Sequence, residues 1–152
     1  SGVVRAIKVA KVLADVRDGY AILYRKPPVT ISLECPADLD FAVPRHDLEA
    51  AVGNLVANAH RFAASRLVLV AWLEGGGLAV AVDDDGPGIP AEDRPAALRW
   101  GERLDQAPPG SGFGLAIVAD LADLHGGSLE LEDSSLGGLR AVLRFPAVEA
   151  GR

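Results

Sequence analysis

The sequence predicts a single mixed α/β domain, and three observations carry that expectation. The chain has 152 residues, enough for one hydrophobic core and too few for two ordinary domains. Helical apolar spacing and short β-prone runs alternate along it. Its composition, 49% hydrophobic and 24% charged, is that of a globular protein and excludes disorder, collagen-like repeats and solenoids.

Val9, Val12, Leu13, Val16, Tyr20 and Leu23 recur at helical spacing and predict a first helix over residues 8–24, which Pro27 and Pro28 end. Residues 29–34 and 40–43 are β-prone runs separated by Pro36, Ala37 and Asp38, and read as a strand pair. Pro44 suits the first position of a long helix to about Ala64. Residues 66–74 and 78–83 are apolar strands joined by Gly75, Gly76 and Gly77, a hairpin signal. Residues 85–112 contain five prolines and five glycines, so loop is expected there, with one short helix over residues 96–100. A loop of that length is usually functional, which suggests a lid over about residues 91–112. Residues 115–124 read as a helix, and residues 128–132 with 139–145 as a closing hairpin.

The formal net charge of -6 argues against a surface that neutralises nucleic-acid phosphates or anionic lipid, so any bound anion must be held locally. Cys35 is the only cysteine, which rules out an internal disulfide and suggests a reducing compartment. It reads as structural, as does Trp72 among its strand neighbours. No apolar run is long enough to span a membrane, and no signal-peptide pattern opens the chain. Methionine is absent, so a trimmed longer chain is expected, with Ser1 and Gly2 as a cloning scar. Arginine outnumbers lysine 12 to 3, which hints at a GC-rich bacterial source.

Three segments carry chemistry. On the long helix, Asn54, Asn58 and Arg61 fall within one narrow arc at 100° per residue. Two amide carbonyls suit a hard metal ion and a guanidinium suits phosphate, so the trio fits Mg²⁺ with a polyphosphate; a solvated polar face fits the helix equally well. The second segment runs from Asp83 to Pro90, directly after an apolar strand. Gly86 and Gly88 permit close backbone approach, and a carboxylate at the strand end can accept from a purine amino group; an ordinary turn is the alternative. The third, Gly110 to Val118, is a glycine-rich loop entering a helix, where bare N–H groups and the helix dipole can hold phosphate oxygens. It lacks the Lys-Ser/Thr ending of a P-loop and follows a loop where a dinucleotide fingerprint needs a strand.

In that order, the three segments resemble the N box (Asn54 to Phe62), first glycine box (Asp84 to Gly88) and second glycine box (Gly110 to Leu115) of sensor histidine kinase catalytic domains. Residues 44–146 are similar to that ATP-binding domain, of the gyrase, heat-shock chaperone, histidine kinase and MutL superfamily. The resemblance implies a two-layer α/β sandwich, with a mixed sheet covered on one face by three main helices and ATP held between the helix layer and the lid. It implies Asn58 as Mg²⁺ ligand with Asn54 beside it, Arg61 on phosphate, Asp84 reading adenine with Gly86, Gly88 and Ile89 around it, and Phe62 against the base. Gly110, Ser111, Gly112, Phe113, Gly114 and Leu115 would contact phosphate through the backbone, and Arg103 would approach the terminal phosphate from the lid. Leu98 stands where the family usually has phenylalanine, and Trp100 where a basic residue is common.

The superfamily's hydrolytic branches carry a glutamate, as general base, where this chain has Asn54. An amide cannot accept a proton near neutral pH, which favours phosphoryl transfer to a histidine, nucleophilic in its neutral form. His46, eight residues before Asn54, lacks the phosphoacceptor continuation; His60 reads as a helix-surface residue and His125 as a cation closing the last helix. The acceptor is therefore expected on a dimerisation domain outside this chain, through which the parent would form a homodimer, with a response regulator downstream. The family further implies a cytoplasmic domain of a membrane-anchored parent. The alternatives are a nucleotide-responsive module without catalysis, motivated by Leu98 and Trp100, and an anti-sigma-factor-like serine kinase, which would usually keep the glutamate.

Overall fold

The computed structural model describes residues 4–23, 29–63, 65–98 and 114–147. Among these residues, seven strands and four helices follow in the order β1 (Ala6–Lys8), α1 (Val9–Leu23), β2 (Thr30–Glu34), β3 (Asp40–Ala42), α2 (Arg45–Phe62), β4 (Arg66–Glu74), β5 (Gly77–Asp84), α3 (Arg94–Leu98), α4 (Gly114–Leu124), β6 (Ser128–Asp133) and β7 (Leu139–Phe145). A single 3₁₀ turn, Ala91–Asp93, leads into α3.

Five strands form one sheet in the order β2-β4-β5-β7-β6. β2 runs parallel to β4, with Thr30 opposite Arg66, and every other pair in that sheet is antiparallel. A parallel pair needs a crossover, and α2 supplies it, which lays this helix across one face of the sheet. The strand pair expected between residues 29–34 and 40–43 does not form. β3 pairs instead with β1, three residues too short to register in the apolar pattern, in a separate two-stranded ribbon. The short helix also starts earlier than expected, at Arg94 rather than Ala96.

Strand alternation gives the sheet two faces. Leu67, Leu69, Ala71, Leu78, Val80, Val82, Ala141 and Leu143 face one core with α1, α2 and α4, to which Val9, Val12, Leu13, Leu48, Val52, Leu55, Val56 and Val118 contribute, all fully buried or nearly so. The two-layer sandwich with three main helices on one face is thus present. The opposite face is laced by cations. Arg144 bridges Glu74 (2.9 Å) and Glu130 (2.6 Å), while Arg140 grips Asp83 through two nitrogens at 2.9–3.2 Å and lies 5.7 Å from the centre of the Trp72 ring.

Asp83 is only 4% exposed, so removing its cation strands a buried charge. The Arg140→Met variant is expected to lose about 2–3 kcal/mol of unfolding free energy, somewhat less than a fully buried pair would, because the Arg140 side chain is partly exposed and solvent screens it. Urea denaturation checks this, and the double variant with Asp83→Val should recover most of the loss, because no unpaired charge remains.

His125 lies just beyond α4, and its Nε2 is 2.7 Å from an Asp47 carboxylate oxygen in the first turn of α2, with its ring edge-on to Phe145 at 5.4 Å. This pair ties the end of α4 to the start of α2. Among the described residues no helix is long and apolar enough to cross a membrane.

Candidate nucleotide site around helix α2

The three chemistry-bearing segments converge on α2, and their glycines show how closely. A Cβ on Gly86 would overlap the Phe62 carbonyl at the helix C-terminus. One on Gly114, the first residue of α4, would stand 3.3 Å from Asn54 Oδ1 and 3.5 Å from the Asn54 carbonyl. Thus the first glycine segment abuts the last turn of α2, and the end of the second abuts its middle. Gly88 has φ +75°, a conformation that favours glycine.

Along α2 the expected residues have distinct surroundings. Asn58 is 6% exposed, and among the described residues its side-chain amide makes no hydrogen bond. A buried amide without a partner costs stability, so its retention points to a ligand that supplies the missing contact. Asn54 donates from Nδ2 to the Ala50 carbonyl (2.7 Å), which leaves its Oδ1 turned toward Gly114. Arg61 and Phe62 are exposed, with the guanidinium carbon 5.3 Å from the ring centre. His60, expected on the surface, is instead 8% exposed with its ring 5.9 Å from that of Tyr20, because α1 packs over this side of α2. His46 is exposed on the first turn of α2.

Three consecutive aspartates close β5 and divide their work. Asp83 faces outward to Arg140. Asp85 accepts from the Ser65 backbone N–H (3.0 Å), the Ser65 hydroxyl (2.5 Å) and the Arg66 N–H (3.2 Å), fixing the entry to β4. Asp84 points to the helix side at 3% exposure. Its Oδ1 accepts from the N–H groups of Gly86 (2.9 Å) and Leu139 (3.2 Å), and no hydrogen bond reaches Oδ2 among the described residues. Burial raises the carboxyl's pKa above its usual value; the two N–H donors oppose this, and the neighbouring Asp85 and Asp83 carboxylates reinforce it. A held carboxylate with one unused oxygen is built to meet a donor.

Two supporting residues escaped the sequence reading. Gly138 lets the turn before β7 close over Asp84, since a Cβ there would overlap the Asp84 carboxylate and stand 2.7 Å from the Gly86 nitrogen. The adjacent glycines at 137 and 138 were the available signal. Gly138→Ala is expected to weaken ATP binding at least about tenfold and cost about 1–3 kcal/mol of stability, as overpacked sites do, checked by calorimetric titration and urea denaturation. The second is Arg94, which reaches the Ile89 carbonyl from the start of α3.

Ile89 and Leu98 are partly buried against the core, and Leu115 is 2% exposed, so its side chain packs while its backbone opens α4. Arg103, Gly110, Ser111, Gly112 and Phe113, together with Trp100, lie outside the described residues. Cys35 donates its thiol to the Pro36 carbonyl at 3.5 Å, and burial raises its pKa, as suits a structural thiol.

A family model described as histidine kinase-, DNA gyrase B- and HSP90-like ATPase matches residues 44–149. The sensor protein kinase CarS of Pseudomonas aeruginosa is 42% identical over 130 residues, which make up 86% of this chain and 29% of CarS. The two-component sensor PhoQ of the same species is 37% identical over 149 residues, 97% of this chain and 33% of PhoQ. The chain therefore spans about a third or less of the length of these relatives. Among solved structures, the ATP binding domain of PrrB from Mycobacterium tuberculosis superposes with a TM-score of 0.78 at 32% identity, covering 95% of this chain and 97% of that one. The catalytic domain of histidine kinase ThkA gives a TM-score of 0.82 at 21% identity over 95% of this chain and 98% of that one, a likeness of fold.

Proposed function

From the premise that this chain belongs to the histidine kinase-, DNA gyrase B- and HSP90-like ATPase family, we propose that it binds Mg-ATP and donates the γ-phosphoryl to a histidine of a separate dimerisation domain. The observation that carries this reading is the inward Asp84, buried and held by two N–H groups, beside the buried Asn58 amide of α2; among the described residues neither Asp84 Oδ2 nor that amide has a hydrogen-bond partner.

Asp84 Oδ2 accepts from the adenine amino group; Gly86 lets the segment after β5 lie against the Phe62 carbonyl and Gly88 takes its positive φ there, with Ile89 behind the base and Phe62 at the rim. Asn58 holds Mg²⁺ through its carbonyl oxygen, with Asn54 beside it; the buried, unpartnered amide fits that part. Bound Mg²⁺ supplies neutralisation of triphosphate charge. Arg61 donates to phosphate, as do Arg103 and the backbone N–H groups of Gly110, Ser111, Gly112, Phe113, Gly114 and Leu115. In the transfer, a histidine nitrogen forms the P–N bond as the bond from the γ-phosphorus to its bridging oxygen breaks, and ADP leaves. The imidazole is neutral before attack and needs no strong base, so the chain's own task is positioning and charge stabilisation. Asn54, a neutral amide, does not activate water by proton abstraction.

The acceptor domain, a homodimer formed through it, a downstream response regulator and a membrane-anchored parent with this domain in the cytoplasm complete the proposal. Neither nucleic acid nor lipid is a partner of an acidic surface like this one. The chain is mixed with a dimerisation segment of a close sensor kinase and γ-labelled ATP. Label on the segment's histidine supports the proposal; an unlabelled segment in the presence of bound ATP overturns it in favour of a nucleotide-responsive binding module.

A further inference from the structure

Arg94 is the first residue of α3, yet its side chain runs back across three separate pieces of chain. Nε donates to the Ile89 carbonyl at 3.0 Å, Nη1 approaches the Leu131 carbonyl at 3.5 Å, and Nη2 meets the Asp133 carboxylate. The Arg94 side chain is 18% exposed, whereas that of Asp133 is 92% exposed, so solvent screens the ion pair and the two carbonyl contacts carry the specificity. Leu131 lies on β6, which among the described residues pairs with β7 alone, so the guanidinium reaches across from α3 to the sheet's outer edge. Ile89 is the residue after Gly88, and its side chain packs on the core. Ile89 is therefore held at two points, side chain inward and carbonyl on Arg94, directly beyond the glycines that bring the backbone close to Asp84.

We propose that Arg94 is a positioning residue for nucleotide recognition, fixing the segment from Gly86 to Ile89 and the root of α3 against β6 as one preset wall of the base site. Only a planar fork with several donors serves Ile89, Leu131 and Asp133 together, and a lysine ammonium cannot span them. This inference rests on the nucleotide-binding reading above. Its effect falls on the base-binding end, because among the described residues the hydrogen bonds and ion pair of Arg94 go to that segment and to β6.

The test uses Arg94→Met, Arg94→Lys and Asp133→Asn, with two independent readouts. ATP, ADP and GTP affinities are measured by calorimetry, and amide hydrogen exchange is followed over residues 86–98. Arg94→Met is expected to weaken ATP and ADP by a common factor of about ten and to lower the preference for ATP over GTP, since preorganisation of the base site is lost. Exchange over residues 86–93 should quicken while that of β4 and β5 holds. Arg94→Lys should recover little, and Asp133→Asn should stay within about twofold of wild type. Unchanged nucleotide affinity in Arg94→Met, full rescue by lysine, or a loss of affinity with unaltered ATP-to-GTP preference and unaltered local exchange would each overturn the proposal. A wild-type chain that binds no ATP overturns the functional reading instead. The exchange data then decide the anchoring alone, and unaltered exchange in Arg94→Met overturns that as well.

Discussion

Asp84→Asn should abolish measurable ATP binding while leaving the nucleotide-free domain as stable as wild type, or more so. The amide keeps an oxygen for the Gly86 and Leu139 N–H groups and is isosteric, so the local fold has no reason to change. It cannot flip without turning its own donors onto those two N–H groups. The other arm, Oδ2 in wild type, therefore becomes an NH₂ group facing the donor amino group of adenine. Losing a charge-assisted hydrogen bond and setting donor against donor should weaken binding by about a hundredfold or more. Stability moves the other way because burial, reinforced by the two neighbouring carboxylates, holds the Asp84 pKa above its ordinary value of 3.8. The folded state then binds more protons than the unfolded chain in the window above that value, and stability falls as pH rises through it. The asparagine variant carries no charge and escapes that penalty. Thermal melts of both proteins from pH 4 to 7, beside calorimetric titration with ATP, check the two halves; a variant that binds ATP like wild type would remove Asp84 from the site.

Asn58→Ala should show the same divergence at the metal end. Wild-type ATP binding is expected to strengthen when Mg²⁺ is added, and the variant should lose that increment while retaining the metal-free affinity within a fewfold. Phosphoryl transfer should fall by about a hundredfold or more, since charge neutralisation on the triphosphate is a large part of such catalysis. The folded protein loses no hydrogen bond, because the amide makes none among the described residues. A small cavity offsets the removed cost of a buried unpaired amide, and the melting temperature should shift by no more than about 4 °C. A large drop in stability with an intact Mg²⁺ increment would make Asn58 a packing residue.

Both predictions concern residues that the sequence already singled out, Asn58 through helical spacing and Asp84 through the family resemblance. Asn54, Asn58 and Arg61 fall on one narrow arc of a long regular helix, so one pattern reveals both the element and its polar face. The hairpin of β4 and β5 and the helix α4 were equally legible. The role of each aspartate at positions 83, 84 and 85 was less so from alternation alone; the resemblance singled out Asp84, and the structure shows the other two engaged by Arg140 and by the Ser65 turn. Residues brought in from far along the chain stayed hidden. Gly138 meets Asp84, and Arg94 meets Leu131, only because β7 returns beside β5 and β6 beside β7, which no local window contains. The pairing of β2 with β4 was missed for the same cause, since a parallel partner lies beyond a whole helix, while the nearer run at residues 40–43 offered a false match.

That parallel pairing bears on where the domain can be cut. The family match begins at residue 44, whereas β2 and α1 lie wholly before it. A fragment trimmed to the match would strip β2 from the side of β4, baring a row of unpaired peptide groups on a strand of nine mostly apolar residues. It would also uncover the surface that Val9, Val12 and Leu13 bury. Such an edge is a template for another chain, so the shortened fragment is expected to self-associate. The autonomous unit of this fold is therefore longer than its recognisable signature.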